Sequence, residues 1–221
     1  MLFGARKKDD DTVVALLASA IRRDISFGVL PPDQKLKIEA LCRNYGGSNH
    51  SMRETLRMLA AEGIVEATSQ RGFRVTSATQ ADLQDILLMR LETERLGLDR
   101  ALARGDVAWE ARVVAALHAL KRAEAAVQAS PDDATALGWD EACRAVSEAL
   151  LSACGSPRLI QVADKFYNQS RRFRLALLRE GRIDFAARAT RQNSLQAAIL
   201  ARDEAAALAL LEDDIRADLG A

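Results

Sequence analysis

Val14, Leu17, Ala18, Ile21 and Ile25 recur at three- and four-residue steps, the stripe of an amphipathic helix that Gly28 and the pair Pro31 and Pro32 stop. Leu36, Leu41, Cys42 and Tyr45 predict the apolar side of a second helix, ended at Gly46 and Gly47, where at least one positive φ is expected. Ser48 or Ser51 caps a third helix, Ser51 and Glu54 having capping-box spacing, and Met52, Leu56 and Leu59 then face inward. After Glu62 and Gly63, residues 64–68 and 73–76 alternate apolar and polar, which predicts a hairpin with Arg71 at its tip. Helix, break, helix and hairpin in this order predict a winged helix-turn-helix.

From Thr79 onward no strand pattern occurs, and helical segments are predicted over residues 79–104, 108–129, 131–154, 157–181, 184–201 and 204–218. Their starts are marked by Ser130 before Pro131, Ser156 before Pro157, Asp106, Asp203, and Thr79 with Asp82. The fold class is therefore mostly α: an N-terminal winged helix-turn-helix with a small β-hairpin, then an all-α bundle of six or seven helices. The expected organisation is a disordered tail over 1–10, a winged domain over 11–77 and a helical domain over 79–218.

Composition adds limits. A 49% hydrophobic content over 221 residues supplies ample core without disulfides. Cys42, Cys143 and Cys154 are an odd set without metal-type spacing, so they read as reduced thiols of a cytoplasmic protein. No apolar run is long enough for a signal peptide or a membrane span. The net charge of zero hides an asymmetry: residues 1–78 hold 12 Lys/Arg against 9 Asp/Glu, and residues 79–221 hold 19 against 22. An enzyme is disfavoured, since there is no Gly-rich phosphate loop after a strand, no catalytic pairing of histidine with a nucleophile, and only two histidines in all.

The outward side of the third helix carries Asn49, His50, Arg53 and Arg57, guanidiniums and small polar groups suited to base edges and phosphates. The same face also suits protein contact, and the residues alone leave both open. In the helical half, polar residues interrupt the apolar stripes: Cys143 and Ser147 beside Trp139, Gln192 beside Phe185 and Leu195, and Asp214 after Leu211. Such groups either bond one another or converge on a cavity. Arg90 and Glu94, four apart, read as an ion pair or as an arginine held for an anion, and Tyr167, Ser170 and Arg174 flank the line Leu159, Ala163, Phe166, Phe173 and Leu177 as rim or pocket. Arg171 and Arg172 read as a solvated face with Lys165, His118 as a partly exposed helix residue, and Trp109, Trp139 and Cys154 as core.

The run Gly28-Val-Leu-Pro-Pro-Asp-Gln-Lys-Leu36, then Tyr45-Gly-Gly-Ser48, then Met52-Arg-Glu-Thr-Leu-Arg-Met-Leu-Ala-Ala-Glu-Gly-Ile-Val65, then Gln70-Arg-Gly-Phe-Arg-Val75 resembles the GntR family of bacterial transcription regulators. The resemblance implies contacts to double-stranded operator DNA from Ser48, Asn49, His50, Arg53, Gln70, Arg71 and Gly72, with Arg57 added from its place on the same helix face. Where the family usually has Ser-Arg-Thr-Pro, this chain has Ser48-Asn-His-Ser51, so Asn49 replaces an arginine and a base preference shifted toward adenine is expected.

The stretches Ser147-Glu-Ala-Leu-Leu-Ser-Ala-Cys-Gly-Ser-Pro-Arg-Leu159 and Ala198-Ile-Leu-Ala-Arg-Asp203 are similar to the C-terminal effector domain of the FadR branch. Many members of that branch hold a metal through an aspartate and three histidines, positions that fall here on Cys143, Ser147, Gln192 and Asp214. That set is a poor metal site, so no metal is expected and a small-molecule effector is. The expected effector pocket comprises Arg90, Cys143, Ser147, Tyr167, Arg174, Gln192 and Asp214, with a small organic acid meeting Arg90 or Arg174. The resemblance further implies a homodimer that represses from a palindromic operator. The rival reading is a winged helix for protein or RNA contact with a purely structural bundle.

Overall fold

The computed structural model describes residues 5–68 and 72–220, and the chain divides into two compact units, 1–82 and 83–221.

In the first unit, α1 (Ala5–Ser26), β1 (Lys35–Leu36), α2 (Ile38–Tyr45), α3 (Asn49–Glu62), β2 (Val65–Ala67) and β3 (Phe73–Val75) follow in order. Leu17, Ile21, Leu41, Met52, Leu56, Leu59, Val65 and Val75 close around one core, so the helical and strand periodicities meet in a single apolar cluster. The antiparallel sheet has the order β1-β3-β2, with Leu36 opposite Phe73 and Val65 opposite Val75.

Three expectations change here. Residues 5–10 of the expected tail are the start of α1, since no Pro or Gly separates them from the helix that follows. Leu36, assigned to the second helix, lies in β1 with Lys35 exposed beside it, and two residues are too few to betray a period-2 pattern. Ser48 is the cap of α3, and its box partner is Ser51, not Glu54. Gln70 and Arg71, the expected wing contacts, lie outside the described residues.

The helices after the wing are α4 (Gln80–Arg104), α5 (Val107–Ala129), α6 (Asp133–Leu151), α7 (Pro157–Arg179), α8 (Phe185–Leu200) and α9 (Glu204–Leu219). Asp106, Ser156, Asp184 and Asp203 cap four of them through backbone N–H groups, and Thr79 with Asp82 forms the reciprocal box before α4. Before α6 the cap is Asp132 in place of Ser130, because Asp132 and Thr135 satisfy each other's backbone N–H at 2.8 and 3.0 Å. Trp109 and Trp139 are fully buried, and the Trp109 indole donates to the Ala149 carbonyl at 3.0 Å.

Candidate nucleic-acid interface and a buried ionic cavity

The start of α3 is held rigidly. Gly46 and Gly47 both have φ of 80°, and a Cβ on Gly47 would come within 2.9 Å of the Leu17 side chain. Ser51 N–H donates to Ser48 Oγ at 3.1 Å while Ser48 N–H donates to Ser51 Oγ at 2.9 Å. Tyr45 donates to Asp24 at 2.5 Å, and partial burial followed by that carboxylate raises its phenol pKa. Arg22 forks onto Glu62 at 2.6 and 2.9 Å, tying α1 to the far end of α3.

With Ser51, Met52, Thr55, Leu56 and Leu59 buried, the opposite side of α3 presents Asn49, His50, Arg53 and Arg57 to solvent. Arg57 is ion-paired with Glu54 one turn back, which shares its charge, whereas Arg53 makes no ion pair among the described residues. Ser48 is exposed but its hydroxyl serves the cap, leaving it placed at the interface with a structural duty as well. Asn49 accepts a hydrogen bond from the Cys42 thiol at 3.5 Å through its side-chain oxygen. A groove of about 440 Å³ joins Asn49 and Arg53 to Gly72 and to two lysines absent from the expected set, Lys35 and Lys37. Their exposed positions on either side of buried Leu36 were the available signal.

In the second unit, Arg90, Cys143, Ser147, Tyr167 and Asp214 line one cavity of about 30 Å³, joined by Arg188 and Asp218. Space of that size holds about one water. Arg90 Nε donates to Glu94 at 2.5 Å, Ser147 Oγ donates to the other Glu94 oxygen at 2.9 Å, and Arg90 lies 4.6 Å over the Tyr167 ring. The Arg90 and Glu94 spacing is an ion pair, and the pair forms part of the cavity wall.

Arg174 and Gln192 are not in that wall. Arg174, with no exposure, pairs with Asp140 at 2.9 Å, donates to Ser170 at 3.0 Å and lies 4.2 Å over Tyr167. Burial opposes its charge, but the Asp140 carboxylate outweighs that and holds its pKa above the ordinary value. Gln192 donates to Glu124 at 2.9 Å and borders a separate groove of about 220 Å³ with His118 and Lys121.

The solvated-face reading of Arg171 is corrected. It is 7% exposed and reaches Asp140 at 2.5 Å and Glu141 besides, because α7 turns Tyr167, Ser170, Arg171 and Arg174 inward while Leu159, Phe166 and Phe173 stay half-buried. Sequence reasoning also missed Glu124, Asp140, Arg188 and Asp218, all buried. Two of them had a signal, since Arg188 stands four before Gln192 and Asp218 four after Asp214.

Arg188 settles how the positions of the family's metal site behave here. Its Nη2 lies 3.4 Å from the Cys143 sulfur and its Nε 2.8 Å from Glu124. Burial pushes the Cys143 thiol up to about 11, with Arg188 and Arg174 only partly offsetting it. Gln192 is committed to Glu124 and Asp214 to Arg191 at 3.2 Å. A fixed guanidinium among these donors does not fit a divalent cation, and among the described residues no three His, Cys, Asp or Glu side chains cluster as ligands.

Comparison with known proteins places both units. Residues 15–75 match the model of bacterial regulatory proteins of the gntR family, and residues 85–217 match the FCD domain. The chain is 32% identical over 200 residues to the HTH-type transcriptional repressor GlaR of Escherichia coli K12, covering 88% of this chain and 89% of that one. It is 34% identical over 154 residues to the HTH-type regulator BphR of Paraburkholderia xenovorans, covering 70% and 62% respectively. Among solved structures, E. coli McbR/YncC superposes with a TM-score of 0.73 at 18% identity, over 94% of this chain and 95% of that one. A putative GntR regulator of Rhodococcus sp. RHA1 gives 0.70 at 23% identity, over 94% and 98%. These two share the fold. No helix among the described residues is long and apolar enough to cross a membrane. With a GntR-type winged helix matched over its first unit and an FCD domain over its second, the chain belongs to the GntR family of transcription regulators.

Proposed function

We propose that the protein is a repressor that binds a palindromic operator as a homodimer in the cytoplasm and responds to a small organic acid bound in its helical unit. The observation that carries the DNA part is the exposed row Asn49, His50 and Arg53 on a helix whose opposite face is locked into the core. Phosphate contacts would fix register while these side chains read a major groove. A relative named as a repressor supports the direction of regulation. Acid binding would lower operator affinity through a coupling of about 1–3 kcal/mol, the usual range for two linked sites.

Arg53→Ala is expected to weaken operator binding by about 1–3 kcal/mol, measured by fluorescence anisotropy on duplex DNA. Parent-like affinity in that variant would reject the interface. Asn49→Arg is expected to move the preferred base from adenine toward guanine in a selection from randomised duplexes, and an unchanged consensus would remove Asn49 from base reading.

A further inference from the structure

Asp218 stands in the last turn of α9, where the unpaired carbonyls at a helix C-terminus disfavour a negative charge. It is nevertheless 6% exposed and paired with Arg188, itself 2% exposed. Each neighbouring arginine has a carboxylate partner without it: Arg90 has Glu94, Arg191 has Asp214, Arg174 and Arg171 share Asp140, and Arg188 has Glu124. Asp218 is thus a second carboxylate, beside Glu124, on one guanidinium, and it is placed against its helix dipole. It borders the cavity of about 30 Å³, whose wall also includes Tyr167. The Tyr167 hydroxyl is buried and lacks a hydrogen-bond partner among the described residues. The cavity therefore joins a filled carboxylate position to an unused donor.

We propose that Asp218 is a built-in stand-in for the effector: a short-chain carboxylate binds by taking the Arg188 edge that Asp218 occupies, with Tyr167 donating to it, and Asp218 is displaced. This rests on the organic-acid reading above and assigns its anchor to Arg188, in place of Arg90 or Arg174, which are closed by their own partners. The space vacated by a carboxymethyl side chain, added to a one-water void, suits a compact acid and excludes a bulky one. Internal occupancy lowers the apparent affinity by the fraction of molecules in which the site is open.

The test is chemical rescue in the full chain. Acetate restores what Asp218→Ala removes: the variant binds acetate about tenfold or more tightly than the parent in calorimetric titration, since the competing acid is gone. Its melting temperature also rises in sodium acetate relative to sodium chloride of equal ionic strength, while acetamide gives no rise. Adding Arg188→Met to the variant abolishes the rescue. Should Asp218→Ala unfold in chloride, recovery of its native tryptophan fluorescence by acetate is the supporting result, and failure to recover overturns the proposal. Equal acetate affinity in parent and variant, or rescue that survives Arg188→Met, overturns it as well. If short acids release the parent from DNA and Asp218→Ala leaves their affinity unchanged, the stand-in role fails while the organic-acid reading stands. If acetate rescues the variant and no acid in a panel of short mono- and dicarboxylates alters DNA binding by the parent, the subsite stands and the organic-acid reading fails.

Discussion

The two units put their charges on opposite sides of their cores. In the winged unit the buried polar side chains among the described residues are Ser51 and Thr55, neither ionised, and its guanidiniums lie at or near the surface. The helical unit buries Arg90, Arg171, Arg174 and Arg188 with Glu94, Glu124, Asp140 and Asp218. A surface that meets DNA needs charge displayed on a rigid apolar support, which costs little desolvation. Ions inside a bundle lose their hydration, and well-packed apolar residues would often be as stable or more so. Stability alone therefore does not account for their presence.

Both tryptophans of the chain lie in the helical unit, so their fluorescence reports that unit selectively. The sharpest way to break the contrast is Asp140→Ala, which leaves Arg174 buried without its main partner. A loss of about 3–5 kcal/mol is expected in denaturant titration followed by tryptophan emission. A loss below 1 kcal/mol, about the size of a surface pair, would mean that the interior ions are solvated after all.

Leu56→Ala, in the fully buried face of α3, should cost the winged unit about 2–5 kcal/mol. Its effect is expected in DNA binding and in far-ultraviolet dichroism, with the tryptophan transition unmoved. A matching shift of both signals would show that the units unfold as one and that the contrast is not energetic.

The smallest effect expected concerns Cys143, whose thiol is raised by burial from 9.0 to about 11. A neutral thiol is favoured by folding, so its contribution is complete below pH 9 and is lost as pH rises from 9 toward 11, where the unfolded chain ionises first. Relative to Cys143→Ser, the parent should lose about 1 kcal/mol per pH unit in that window. Parallel stability curves for parent and variant would place the thiol in contact with water.

Much of the fold was legible because it is written in local signals. The helix boundaries after the wing were marked by capping acids and by Ser156 before Pro157, and the six segments lie within a few residues of those expected. Strand β1 escaped because its two residues acquire meaning only from β3 opposite them. The exposed row on α3 was legible for the same reason as the helix, since a 3.6-residue repeat that buries Met52, Leu56 and Leu59 must expose Arg53.

The interior of the bundle followed a different logic. Periodicity singled out Cys143, Ser147, Gln192 and Asp214 as polar groups on apolar faces, yet it could not say that Gln192 would turn to Glu124, that Arg171 would reach Asp140, or that Arg188 would lie against Cys143. Long arginine and glutamate side chains reach across several helical positions, so a stripe of apolar residues does not define where their charged ends meet.

The amino-acid order by itself determined which segments are helical, which face of the third helix is bare, and that this face is basic, because these depend on neighbours three or four positions away. Only the tertiary structure decided which arginine meets which acid and that two carboxylates, Glu124 and Asp218, meet on the one guanidinium of Arg188. That choice depends on side chains brought together from α5, α6, α8 and α9, and electrostatic pairing in a dry interior is set by distance in space, for which separation along the chain is no guide.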